Sequence, residues 1–178
     1  MTPSFTDRLR GAALLDAATY EEVEADETAT SQAMAVVVLA SVASGIGELA
    51  RIGVAGLLLG ALVALIAWLI WAGITYFVGA KLLPESETEA DLGQLLRTIG
   101  FSTAPGLLRV VGLIPWVGAL ASLAIEVWML MAMVVAVRQA LDYRSTARAV
   151  LVCAVGFVVY LALIIPVRLA AWVGMVLL

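Results

Sequence analysis

The sequence predicts an all-α, polytopic integral membrane protein: a bundle of five transmembrane helices behind a short polar N-terminal head. Three observations carry that expectation. Hydrophobic residues make up 63% of the 178 positions, where a soluble domain holds roughly 45–50%. Charged residues are only 13% and sit in a head and a few connections, so long stretches carry none. The first thirty residues are polar and acidic, with no apolar run of the signal-peptide kind, so insertion is expected to fall to the first membrane segment.

The head is residues 1–32, an acidic and cytosolic segment. It carries Asp7, Asp16, Glu21, Glu22, Glu24, Asp26 and Glu27 against Arg8 and Arg10, a net charge of −5. Phe5, Leu9 and Ala12/Ala13 recur at helical spacing and predict a short amphipathic helix. With few basic residues it is read as packing on the rim of the bundle rather than as an interfacial anchor. The carboxylates match no calcium-loop pattern and are read as a solvated face.

The membrane region is residues 33–178. A first crossing is expected at about 33–50, where Ala33–Gly47 is apolar and Glu48 ends the run; flanking residues bring it towards the ~20 that span a bilayer. A second is expected at 54–80, 27 residues without a charge. Gly56 and Gly60 lie four apart in it and suggest a close-approach face for helix packing. Residues 81–97 form a polar loop. In it, Asp91 and Gln94 read as an N-cap and its capping-box partner. Ser102 and Thr103 read as caps of the next segment, and Ser145 as the cap of the last.

Residues 101–137 are too long for one crossing of ~17–25 residues. As a hairpin of crossings at 102–114 and 117–138, they put the head, the 81–100 loop and the 138–148 loop on one face. That face then holds Arg8, Arg10, Lys81, Arg97, Arg138, Arg144 and Arg148, with Arg51 opposite and Arg168 near its edge. The positive-inside rule therefore selects five crossings, N-terminus cytoplasmic and C-terminus outside, in the cell membrane. Pro105 falls in the first turn of a short helix, where its missing N–H costs little. Pro115, Trp116 and Gly118 form the hairpin turn. Glycines 100, 106, 112 and 118 are six apart, a spacing that leaves one helical face and so reads as punctuation and close packing. The last crossing is expected at 148–167, interrupted by Pro166, with 168–178 as an interfacial tail.

Arg109 is the charge this scheme must explain, since a lone mid-membrane arginine costs ~2.5–3.5 kcal/mol on insertion scales. Glu126 on the return helix is its expected partner, one helical turn deeper. Ala119, Ser122, Glu126, Met129 and Met133 share a side of that helix, expected to point into the bundle. The pair is read as a structural lock; the alternative is a solute or proton path.

Chemistry is sparse. There is no histidine and one cysteine, Cys153, which excludes an internal disulfide and removes the commonest general base and metal ligand. No phosphate loop, Cys/His metal spacing or nucleophile–base pairing is present. Catalytic, cofactor-binding and metal residues are therefore expected to be none, as is a nucleic-acid partner.

Three stretches carry a resemblance: "LLDAATYEEVEADETATSQAMAVVVLAS", "LLRTIGFSTAPGLL" and "GLIPWVGALASLAIEVWMLMAMVVAVRQALDYRSTARAV". Within them the most specific pieces are Gly100-Phe101, Ala104-Pro105-Gly106, Ile114-Pro115, Trp128 and the run from Ala136 to Leu141. From about Leu14 to Leu163 the chain resembles the Yip family, membrane proteins named for interaction with Ypt/Rab GTPases, in its small prokaryotic form. The resemblance implies five transmembrane helices with a cytosolic N-terminus. Eukaryotic members bind prenylated small GTPases through long cytosolic regions and act in vesicle budding and organelle organisation. The short head argues against a GTPase partner here. The expected role is a non-enzymatic membrane scaffold in the lipid bilayer, with a membrane-protein partner or a second copy as candidates. A small-solute transporter or channel, or an accessory subunit of a larger complex, are the alternatives.

Overall fold

The computed structural model describes residues 3–46, 49–86, 88–114 and 118–177. The elements are α1 (Phe5–Ala13), α2 (Ala17–Ala25), α3 (Ala29–Gly45), α4 (Leu49–Tyr76) with a π-helical continuation (Phe77–Leu82), α5 (Leu92–Phe101), a 3-10 segment (Ala104–Leu113), α6 (Gly118–Ala140) and α7 (Thr146–Leu177). Pro115 and Trp116 of the expected hairpin turn lie outside the described residues. Gly118 opens α6 and donates its N–H to the Ile114 carbonyl at 2.9 Å.

Local chemistry sets the starts. Ser4 and Asp7 cap α1 reciprocally. Asp91 and Gln94 do the same for α5, forming the expected capping box and satisfying two otherwise orphan N–H groups. Between α1 and α2 the chain reverses at Leu15, whose φ of 63° is left-handed. That reversal folds the head back on the bundle. Ala12, Tyr20 and Val23 are fully buried in the common core, with Phe5, Leu9 and Ala13 packed against it. The expected amphipathic helix thus lies on the bundle itself.

Neighbouring residues fix the direction of each segment. Gly45 meets Leu57 and Ser41 meets Gly60, so α3 and α4 are antiparallel. Gly100 lies against Ala33 and Gly106 against Ala40, so α5 and the 3-10 segment run parallel to α3. Met129 packs on Gly106, and the Ser102 hydroxyl reaches Met133, so α6 returns antiparallel. Trp71 meets Tyr160 edge-on at 6.2 Å and Gly79 meets Leu141, so α7 opposes α4. The five segments therefore alternate in direction. The 83–91 loop and the 141–145 turn meet at one end, where Glu85 accepts from the Arg144 N–H at 3.0 Å. The head joins them there, through Gln139–Glu21 at 2.7 Å and Gln94–Glu24 at 2.9 Å.

Among the described residues, three helices are long and apolar enough to cross a membrane: Ile52–Leu82, Gly118–Ala140 and Thr146–Pro166. The expected crossing at 33–50 is the shorter apolar helix Ala29–Gly45. The expected helix at 102–114 is a ten-residue 3-10 segment, about 20 Å long at 2.0 Å per residue. Its cause is local. The expected caps Ser102 and Thr103 do not cap forward; their hydroxyls bond back to the carbonyls of Ile99 and Gly100 at 2.7 Å. Those carbonyls are drawn away from an α-helical ladder, and Pro105 adds no N–H. Near its start α4 bends at Gly53, whose φ of 65° suits a residue without Cβ. The final helix corrects a further expectation, since it continues through Pro166 to Leu177. In an apolar stretch no other partner exists for the flanking backbone groups, so the helix is retained around one missing bond.

Candidate functional site

The structure brings Arg109 and Glu126 together. An Nη of Arg109 lies 2.5 Å from Glu126 Oε1, and the other donates to the Ser44 hydroxyl on α3 at 2.9 Å. Arg109 is 27% exposed and Glu126 55%. The expectation of a buried lock is corrected in this respect: Glu126 opens to the bundle's surroundings, and Ala119 is exposed as well, while Met129 and Met133 turn inward. Glu126 stands eight residues into α6, ~12 Å from its start and ~21 Å from Ala140 at 1.5 Å per residue. The pair thus lies nearer the end opposite the head.

The 3-10 period explains what sits beside it. Three residues per turn place Gly106 and Arg109 on one stripe, facing α3 and α6. Gly100, near the end of α5, meets Ala33, and Gly106 in the 3-10 segment meets Ala40, so both glycines serve close packing against α3. Where the small residues leave room, α3, α4, the 3-10 segment and α6 enclose a groove of about 380 Å³. Ser41, Ser44 and Arg109 mark its polar end, and Trp68, Trp71, Met129 and Met133 line the rest. Both indoles spend their N–H inward, on the Leu96 carbonyl at 3.0 Å and on the Met133 sulfur at 3.3 Å. The walls therefore present apolar surface. Of the two glycines expected to pack helices, Gly60 faces Ser41 across α3, while the nearest side chain to Gly56 is Ile52 of its own helix.

A second polar cluster ties the head down, and sequence reading missed it. Arg8, 2% exposed, donates to both carboxylate oxygens of Glu22, to Asp26 and to Gln32. Arg97, 6% exposed, donates its Nε to the carbonyls of Val23 at 3.1 Å and Glu24 at 3.0 Å, and an Nη to Glu24 as well. A cation thus meets the last carbonyls of α2, where the helix dipole favours it. Glu24 is only 9% exposed, and its carboxylate accepts from Gln94. Burial first, then the nearby Asp142, push its pKa up to about 7, with Arg97 opposing. Hydrogen bonds from Thr28, and after them from Arg8, instead hold Asp26 down at about 2.

These shifts have opposite consequences. Glu24 binds its proton more tightly folded than unfolded, so docking of the head weakens as pH rises from about 4.5 to about 7. The Asp26 contribution is complete above its ordinary value and fades only as pH falls from there towards 2. The replacement Glu24→Gln is expected to remove the near-neutral dependence, on the order of 2–3 kcal/mol for a shift of this size. Thermal midpoints between pH 5 and 8 check this; a wild-type slope retained by the variant would exclude Glu24 as its source.

Among the described residues no group of three or more metal-ligating side chains occurs. Together, the long apolar helices, the single helical core and the polar end define a helical integral membrane protein. The Yip1 domain family model matches residues 16–165, and the chain belongs to that family. No curated protein and no solved structure matches it.

Proposed function

We propose that this protein is a non-enzymatic, five-pass membrane scaffold of the Yip type in the cell membrane, acting through helix contacts or membrane shape. The observation that carries this reading is the alternation of five segments with the head and two connections gathered at one end. The basic residues Arg8, Arg97, Arg138, Arg144 and Arg148 belong to that end, which makes it cytoplasmic by the positive-inside rule. The C-terminus is then outside. In the third crossing α5 and the 3-10 segment act end to end. Ten residues of each reach about 35 Å if collinear, enough for a hydrocarbon core of ~30 Å. No nucleophile–base pair enters this account. The role rests instead on surfaces offered to lipid, to a membrane-protein partner or to a second copy.

Cysteine labelling in a Cys153→Ala background tests the arrangement. Single cysteines at Thr88 and at Ser145 should both react from the cytoplasmic side alone. Opposite accessibility of the two positions would remove the hairpin and with it the five-pass reading.

A further inference from the structure

We propose that the groove between α3, α4, the 3-10 segment and α6 seats one acyl chain of a zwitterionic phospholipid, its phosphate on Arg109 and its ammonium beside Glu126. The inference rests on the proposed membrane hairpin of the 3-10 segment and α6, which the labelling at Thr88 and Ser145 tests separately.

The groove's size and lining come first. About 380 Å³ falls within the range of small-molecule sites. Its walls offer water few partners, because the Trp68 and Trp71 N–H groups are spent inside the protein. Space of this kind takes up hydrocarbon rather than water. The methionine side chains Met129 and Met133 can adjust to a flexible chain.

Polarity then orients the occupant. Ser41, Ser44 and Arg109 stand at the end away from the head, and the indoles and thioethers lie inward of them. A phospholipid in the leaflet opposite the head has the same order, polar group outermost and chain running towards the midplane.

Charge complementarity selects the headgroup. Arg109 and Glu126 present a cation and an anion 2.5 Å apart, both partly open. An anionic headgroup approaching Arg109 meets Glu126 at once. A dipolar headgroup pairs with both charges: its phosphate accepts from the guanidinium, and its ammonium donates to the open carboxylate.

The test uses the full chain in nanodiscs of mixed phosphatidylethanolamine and phosphatidylglycerol. A trace of phosphatidylethanolamine carries a photoreactive diazirine on one acyl chain. After illumination, adducts mapped by peptide mass spectrometry should concentrate on Met129, Met133 and residues 64–71. Unlabelled phosphatidylethanolamine should compete better than phosphatidylglycerol of the same chains. Filling the groove with Ala67→Phe should cut these adducts by about fivefold, roughly 1 kcal/mol, at an unchanged melting temperature. The variant Glu126→Gln keeps an acceptor for Arg109 but drops the negative charge, and should shift competition towards phosphatidylglycerol. Adducts spread evenly over the exposed faces of α4 and α7 would mean annular lipid only and overturn the proposal. So would groove adducts that neither variant changes.

Discussion

Replacing Arg97 with methionine is expected to loosen α2 from the bundle and lower stability by about 2–4 kcal/mol. Among the described residues the side chain is one of two buried cations, with Arg8, and it binds backbone rather than carboxylate oxygens. Without it, the carbonyls of Val23 and Glu24 lose their donor in a site closed to water. Each unsatisfied group costs about 1–3 kcal/mol. The Glu24 carboxyl also loses the cation that opposes its upward shift. Arg97→Lys should recover little, since a single ammonium cannot spread over both carbonyls as the planar fork does. Adding Glu24→Gln to Arg97→Met should restore part of the loss, because the stranded carboxylate goes with it. Hydrogen exchange of residues 17–25 reports the effect locally and the melting temperature reports it globally. Unchanged protection of α2 in Arg97→Met would show that the head is held by Tyr20, Val23 and the Arg8 cluster alone.

That the sequence did not reveal this latch has a physical reason. Arg97 reads as one more loop charge on the basic face, and Glu24 as one of seven carboxylates in a solvated head. Their burial depends on α2 folding back through the left-handed Leu15 and landing on α5, a contact between residues 73 apart in the chain. Nothing in local periodicity encodes it. Signals that act within four residues were legible: the Asp91–Gln94 capping box and the packed face of Phe5, Leu9 and Ala12. The ion pair was found because a charge in an apolar run demands a partner, whereas Ser44 was not, since a small hydroxyl makes no such demand. The close packing read from the glycines is seen at Gly100 and Gly106, which meet Ala33 and Ala40 of α3. The break assumed at Pro166 reflects rules for helices in water; in an apolar stretch the helix has no competitor.

The same logic sets the expected outcome for Arg109 and Glu126. Glu126→Ala should destabilise the protein by about 1–3 kcal/mol, below the 3–5 kcal/mol of a fully enclosed pair. Two features of the site reduce the cost. Arg109 keeps its bond to the Ser44 hydroxyl. It is also partly open and near the end opposite the head, where a long side chain can turn towards lipid headgroups. Arg109→Met should cost less, since the carboxylate it leaves behind is already 55% exposed. The double variant Arg109→Met/Glu126→Leu removes both charges at nearly constant volume and should recover most of the wild-type melting temperature. A coupling near zero in this cycle would mean that the 2.5 Å contact contributes nothing to holding α6 against the 3-10 segment. Stability and role can then be separated. If the pair only holds the hairpin, the double variant inserts, folds and keeps its cellular role, while losing the preference for zwitterionic lipid at the groove. If it inserts and folds but the role disappears, the charges themselves are used, and a solute path past Arg109 displaces the scaffold reading.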